Sequence, residues 1–445
     1  MLSEDFYSSI CGPPIKANTA VSKDVGIYAH TLSPSYAVKS TLKRSATPAN
    51  CLAISDSHVF AAQHEKSQVH VYARSRAIQE TTVTFPERIR SLTLIGDVLV
   101  LGTSEGRLML WETCTGRQLT TPPCHVQAVS CLAVTPHHIL SGSEDSNIHV
   151  WTLSCLLEMN ADADAEPDRT LSNHRAAVTS LAISPSVNPE TSICASSSKD
   201  KTCIIWNYQT GEVLRTLLFP AAPLCISMDP CARALFVSSE DRSLYLVELL
   251  GDKPLIGPSC AESSSTVVQV SSPIGIADED AGPASCLALN YDGTTVLSGH
   301  TKGKILQWQL TECGHPTELT DLNASVTNLV FSPLLQAPRS TKPTTVIKPT
   351  QANRQYTFTS QLNASLEQET RFGTMLNGFG FPNDMLDSAL VAFQGAQPQP
   401  ITDDEDDEDD ETQRQTDELW EIINEQRALQ KLTMQSYIEA KSSHV

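Results

Sequence analysis

No two of the 13 cysteines in this 445-residue chain are spaced C-x-x-C, which excludes the common zinc and dithiol redox frameworks. Most sit inside strand-like apolar runs, among them Cys51, Cys131, Cys194, Cys203, Cys225 and Cys286. They read as reduced core residues in a reducing compartment. There is no G-x-x-x-x-G-K-[ST] phosphate loop and no kinase motif set. His64-Glu65 followed by His70 lacks the H-E-x-x-H spacing, and His137-His138 beside Pro136 is a turn pair. Gly378 and Gly380 lie among phenylalanines, not between a strand and a helix. No catalytic, cofactor or metal residue set is expected. No apolar run approaches the roughly 20 residues of a membrane span, and the N-terminus has no basic-then-apolar leader. A soluble intracellular protein is expected, with the sequons at Asn323 and Asn363 chance matches. Positive charge is also short. Lys and Arg number 31 against 51 Asp and Glu, for a net charge of −20. Nine of those negative charges form one run, Asp403–Glu411. Nucleic acid is therefore disfavoured as the main ligand, while a local basic patch stays open.

What is present is a repeat. Val178–Trp206 holds three β-type runs, Val178–Ser184, Ile193–Ser197 and Thr202–Trp206. The last two are joined by the tight polar turn Lys199-Asp200-Lys201. His174 precedes the first run, Ser196 lies in the second and Trp206 closes the third. The closing residue recurs as Tyr72, Trp111, Trp151, Trp206, Val247 and Trp308, at steps of 39, 40, 55, 41 and 61 residues. A period of about 40–45 is that of four-stranded propeller blades. The long steps hold polar insertions, Glu158–Asp168 and Pro258–Pro283, expected as solvated loops.

Seven inner-strand runs can be counted: Cys51–Ser55, Ile89–Ile95, Val129–Thr135, Val178–Ser184, Leu224–Asp229, Ser285–Asn290 and Val326–Ser332. The last lacks a closing aromatic after it. Val25–Ala29, with Tyr28 at the Trp position, and Tyr36–Thr41 supply the missing half from the other end of the chain. An open blade would leave two unpaired sheet edges, so pairing N- and C-terminal strands closes the ring. The expectation is an all-β, seven-bladed propeller over residues 21–350. Its seventh blade comes from 21–44 and 322–350, with Thr344–Lys348 as a further strand, and residues 1–20 precede it. Six blades with irregular ends is the alternative.

The best-kept blades carry His125, Ser141, Asp145 and Trp151, then His174, Ser196, Asp200 and Trp206. Each set is expected to link as a buried Asp–His–Ser–Trp hydrogen-bonded chain that rigidifies its blade. Elsewhere Gly106 and Gly303 read as replacing the turn Asp, and Val247 replaces Trp. The Ser/His/Asp trio also invites a hydrolase reading, but its recurrence at blade positions marks it as structural.

Beyond about Gln351 the composition shifts. Arg371–Phe393, within the extension 351–402, is too apolar for a linker and is expected to dock through Phe372, Phe379, Phe381 and Leu386. Asp403–Glu411 reads as a solvated spacer. Residues 412–441 contain no Gly or Pro. They predict an α-helical tail, amphipathic or coiled-coil. Leu419, Trp420, Ile422, Ile423, Leu429, Leu432 and Tyr437 are its partner-binding residues, for a second copy or another subunit.

These residues carry a resemblance. The segments MLSEDFYSSICGPP, SGSEDSNIHVW (Ser141–Trp151), SSSKDKTCIIWNYQTGEVLRTLLFP (Ser196–Pro220) and ELWEIINEQRALQ (Glu418–Gln430) resemble the WD-repeat subunit of the fungal pre-rRNA-processing complex. The resemblance spans the chain and implies a WD40 propeller in a nuclear, non-enzymatic scaffold. It implies as partners a larger helical-repeat scaffold subunit, a smaller subunit, the precursor large ribosomal (pre-60S) particle and a dynein-related AAA ATPase. The implied process is removal of internal transcribed spacer 2. A WD40 substrate adaptor of a ubiquitin ligase, or of a chromatin or replication complex, is the alternative. Direct RNA contact stays open.

Overall fold

In each repeat the second strand is buried on both faces, as in a sheet covered on both sides. Ile193–Ser198 is buried at every position, as is His58–Ala62. The computed structural model describes residues 4–15, 25–158, 166–184, 193–250, 255, 267–310, 315–332, 346–347 and 361–362. Its main architecture is seven antiparallel sheets, each one blade of a β-propeller.

Blade one is Leu52–Ile54, His58–Ala62, Gln68–Ala73 and Ile78–Thr84. Blade two is Ile89–Ile95, Val98–Thr103, Leu108–Glu112 and Gln118–Thr120. Blade three is Val129–Val134, His138–Ser143, Ile148–Thr152 and Arg169–Leu171. Blade four is Val178–Ile183, Ile193–Ser198, Thr202–Asn207 and Glu212–Leu218. Blade five is Pro223–Met228, Ala234–Ser239, Ser243–Glu248 and Gly275–Ile276. Blade six is Ala284–Leu289, Thr295–His300, Lys304–Gln309 and Thr317–Asp321.

Blade seven joins both ends of this unit. Its order from the inside is Val326–Phe331, Glu4–Ile10, Val25–Ser33, Ala37–Lys43. Leu329 pairs with Ser8, and Phe6 pairs with both Phe331 and His30. This corrects the expected domain boundaries. The second strand comes from Glu4–Ile10, within the segment thought to precede the propeller. Of the further strand expected over Thr344–Lys348, the described residues Val346–Ile347 pair with Gln361–Leu362 and not with the blade. Pro343 and Pro349 bracket that run, and proline cannot donate to a ladder. Arg74 fastens the closure, donating to Tyr7 Oη at 3.3 Å, Ser55 O at 2.8 Å and Ser332 Oγ at 2.5 Å.

The apolar core is divided. Among the described residues it forms seven clusters, one in each gap between neighbouring blades. Trp206 packs with Cys131, Leu140 and Val178 in the gap between blades three and four. Trp111 packs with Phe60 and Phe85 between blades one and two. Each buried side chain of this size contributes about 1.5–3 kcal/mol.

A hydrogen-bonded ring runs through the inner ends of the blades. Ser91 Oγ donates to Val129 O at 2.9 Å, Ser130 Oγ to Val178 O at 2.6 Å and Thr179 Oγ1 to Pro223 O at 2.9 Å. Ser238 Oγ donates to Ala284 O at 3.2 Å, Ser285 Oγ to Val326 O, and Thr327 Oγ1 to Thr47 O at 2.7 Å. Leu92 N–H to Asn50 O, at 2.7 Å, joins blades one and two. Every junction thus carries a directional bond as well as an apolar cluster.

The insertion Pro258–Pro283 is more than the loop expected. Val267–Gln269 adds a fifth, parallel strand to blade four, and Gly275–Ile276 is the outer strand of blade five. Val268 and Val270 pack on the core between those blades, which the surrounding Ser, Pro and Asp residues obscured. Just ahead of the other insertion, Leu153–Glu158 is a short helix. Residues 371–393, 403–411 and 412–441 lie outside the described residues. So do the docking residues Phe372, Phe379, Phe381 and Leu386. The same holds for the tail residues Leu419, Trp420, Ile422, Ile423, Leu429, Leu432 and Tyr437.

Candidate functional site

The turn between second and third strands is the root of each polar network. In blade four, Asp200 accepts from the backbone N–H of Arg175 and of Thr202, both at 2.9 Å, and from Thr202 Oγ1 at 2.5 Å. Its Oδ2 lies 3.4 Å from His174 Nδ1. His174 Nε2 is 2.7 Å from Ser196 Oγ, which accepts from Trp206 Nε1 at 2.8 Å. Ser196 Oγ is thus held between the Trp206 indole N–H and His174 Nε2, and its hydroxyl also donates to Ile204 O at 3.3 Å. Burial alone would raise the Asp200 carboxyl. The bonds from His174, Arg175 and Thr202 outweigh it and hold the group well below the usual carboxylate range.

Blade three repeats the chain. His125 Nδ1 lies 3.2 Å from Asp145, His125 Nε2 lies 2.9 Å from Ser141 Oγ, and Trp151 Nε1 donates to Ser141 at 3.1 Å. His149 stacks on His125 with centroids 4.0 Å apart. Burial, and then the neighbouring His149, lower the His125 pKa to about 4.

These sets are not catalytic centres. Ser141 and Ser196 are fully buried, and each hydroxyl is already engaged by a Trp and a His. A nucleophile must reach a substrate, and neither can.

Two further blades hold partial versions that sequence spacing did not identify. In blade six Trp308 Nε1 donates to Ser298 Oγ at 2.8 Å. The histidine beside that serine is His300, from the second strand itself, with Nε2 at 2.9 Å and Nδ1 at 2.8 Å from Gly282 O. In blade seven the strand register places His30, not Tyr28, at the position of Trp206. His30 pairs with Phe6 as Trp206 pairs with Cys194, and each follows a register shift. Its Nε2 lies 2.8 Å from Ser8 Oγ and its Nδ1 3.1 Å from Tyr36 Oη. Burial lowers the His30 pKa to about 4.

The turn glycines are also reassigned. Gly106 and Gly303 have φ of +79° and +95° and stand where Ser146, Lys201 and Arg242 take the same left-handed conformation. The Asp position one residue earlier is held by Glu105 and Lys302. Blade five keeps its turn aspartate: Asp241 accepts from Ser243 N–H at 3.1 Å and Tyr245 Oη at 3.3 Å. Blade two keeps the tryptophan without its serine. Leu101 stands at the serine position, and Trp111 Nε1 is buried with no hydrogen-bond partner among the described residues.

No group of three or more His, Cys, Asp or Glu suited to a metal ion occurs among the described residues. No described helix is long and apolar enough to cross a membrane.

Comparison with known proteins gives a consistent picture. The family described as WD domain, G-beta repeat matches residues 116–152 and 165–207, which cover most of blades three and four. Pre-rRNA-processing protein IPI3 of Yarrowia lipolytica is 30% identical over 257 residues, 57% of this chain and 59% of that one. WD repeat-containing protein 18 of Danio rerio is 27% identical over 280 residues, 62% of each. Pre-rRNA-processing protein crb3/ipi3 of Schizosaccharomyces pombe is 22% identical over 295 residues, 60% of this chain and 66% of that one. The chain thus spans about three fifths of the length of these curated relatives. It is a WD40-repeat protein, homologous to the fungal IPI3 and crb3/ipi3 pre-rRNA-processing proteins and to WD repeat-containing protein 18.

Proposed function

We propose that the chain is a non-catalytic scaffold subunit of a nuclear complex that processes pre-rRNA at internal transcribed spacer 2 and matures the large ribosomal subunit precursor. The observation that carries this reading is the similarity to relatives named for pre-rRNA processing in two fungi. The fold is compatible with it. The polar sets of blades three and four serve internal bonding, leaving a rigid ring with many loops for partners. On this reading the propeller and its C-terminal extension hold a larger helical-repeat subunit and a smaller subunit against the pre-60S particle and a dynein-related AAA ATPase. The helix expected over 412–441 either self-associates or engages another subunit.

Depletion of the protein from cells, followed by probing of total RNA across the spacer, tests the role. Accumulation of spacer-containing precursors is the expected result. Normal processing, with the tagged protein recovered alongside ubiquitin-ligase or chromatin subunits, would overturn it.

A further inference from the structure

The bond from Arg175 N–H to Asp200 has a second consequence. It fixes the loop entering blade four beside the turn that carries Lys199 and Lys201. Arg175, Lys199 and Lys201 are all exposed, on one end of one blade. Among the described residues no carboxylate pairs with any of their side chains, and Lys201 Nζ makes a single bond, to Pro220 O at 3.1 Å. The one acidic group between them, Asp200, is held inward by His174 and Thr202. The neighbouring blades carry the opposite sign at the place of Lys199, with Glu144 in blade three and Glu240 in blade five. A cluster of three uncompensated cations therefore stands out on a chain of net charge −20.

We propose that Arg175, Lys199 and Lys201 form a binding site for the phosphodiester backbone of single-stranded RNA. The choice of RNA as the polyanion rests on the pre-rRNA reading; the charge cluster does not. One feature favours a phosphate backbone over an acidic peptide: the cations sit at turn and loop tips, where no strand edge is offered to a peptide. Leu218, which pairs with Thr202, is the exposed large hydrophobic side chain of blade four at this end. Exposed aromatic rings that could stack bases are missing from this end. Tyr291, the one exposed aromatic among the described residues, lies in a turn between first and second strands, at the opposite end of the blades. The site thus reads charge spacing and not base sequence.

Fluorescence anisotropy of the full-length chain with a labelled 20-nucleotide RNA of mixed sequence tests this. Three phosphate contacts predict a slope of log affinity against log salt of roughly −2. The triple variant Arg175→Glu, Lys199→Glu, Lys201→Glu is expected to lose at least tenfold in affinity and most of that slope, with an unchanged unfolding midpoint. Glu240→Lys, which extends the cluster, is expected to raise affinity, a gain that misfolding cannot mimic. Equal binding by the wild type and the triple variant would overturn the site. So would absence of binding at low salt, or displacement by polyglutamate but not by unlabelled RNA. Failure here alongside a spacer-processing defect on depletion would sink this site and leave the broader function standing.

Discussion

Blades two and four have the same strand frame and bury the same tryptophan, but only one gives that tryptophan an acceptor. Trp206 donates to Ser196, which is tied through His174 to Asp200. Trp111 occupies the equivalent place against Leu101, and its Nε1 has no partner among the described residues. Both rings are buried, and both fill a gap between blades. The apolar frame alone is thus enough to build a blade, while the polar chain adds local rigidity and stability to an already formed one.

If the frame outranks the network, breaking the frame must have the largest effect. Deleting residues 1–12 removes the second strand of blade seven and exposes two strand edges. The expected outcome is loss of the cooperative thermal transition, with aggregation on gel filtration. A folded, monodisperse product would show that the closure through Phe6 and Ser8 is dispensable.

Breaking the network at its centre comes next. Ser196→Ala leaves Trp206 Nε1 and His174 Nε2 buried without their shared partner, at about 1–3 kcal/mol for each orphaned group. Urea unfolding should show a loss of about 2–6 kcal/mol. Leu101→Ser in blade two loses packing but creates an acceptor. Its cost should therefore be greater in a Trp111→Phe background, by about 1 kcal/mol of coupling.

Acid separates the blades in another way. Blade two contains no histidine, whereas His125 and His30 are lowered from 6.5 to about 4 by burial. A histidine with a depressed folded pKa stabilises fully above its unfolded value. That contribution is lost as pH falls through 6.5 toward 4, because the unfolded chain takes up protons first. Stability should fall across this window by at most about 3 kcal/mol per histidine. His125→Asn should flatten the profile; an unchanged slope would contradict the buried neutral assignment.

How much of this was legible depended on which chemistry was involved. The inner strands and five of the closing residues follow from apolar runs and a steady period. What lies outside those signals was hidden for definable reasons. Glu4–Ile10 begins with two acids and ends in Ser-Ser-Ile before Cys-Gly-Pro-Pro, so it reads as a tail until Val326–Phe331 covers it. His30 takes the place expected of Tyr28 because Phe6 and Ser8 of the N-terminal strand set the pairing; spacing to Tyr72 alone allows either residue. His300 supplies from a strand the imidazole that blades three and four take from a loop. The serine and threonine ring depends on bonds between different blades, and only the closed fold brings those partners together.

The central claim is tested most directly by comparing Trp206→Phe with Trp111→Phe in equilibrium urea unfolding. The two lose similar ring volume, but only Trp206 loses a hydrogen bond. Trp206→Phe should cost about 1–2 kcal/mol more than Trp111→Phe, whose removed N–H had no partner. Equal losses would contradict the account and mean that the buried polar chain of blade four adds nothing to a frame that its apolar contacts already hold.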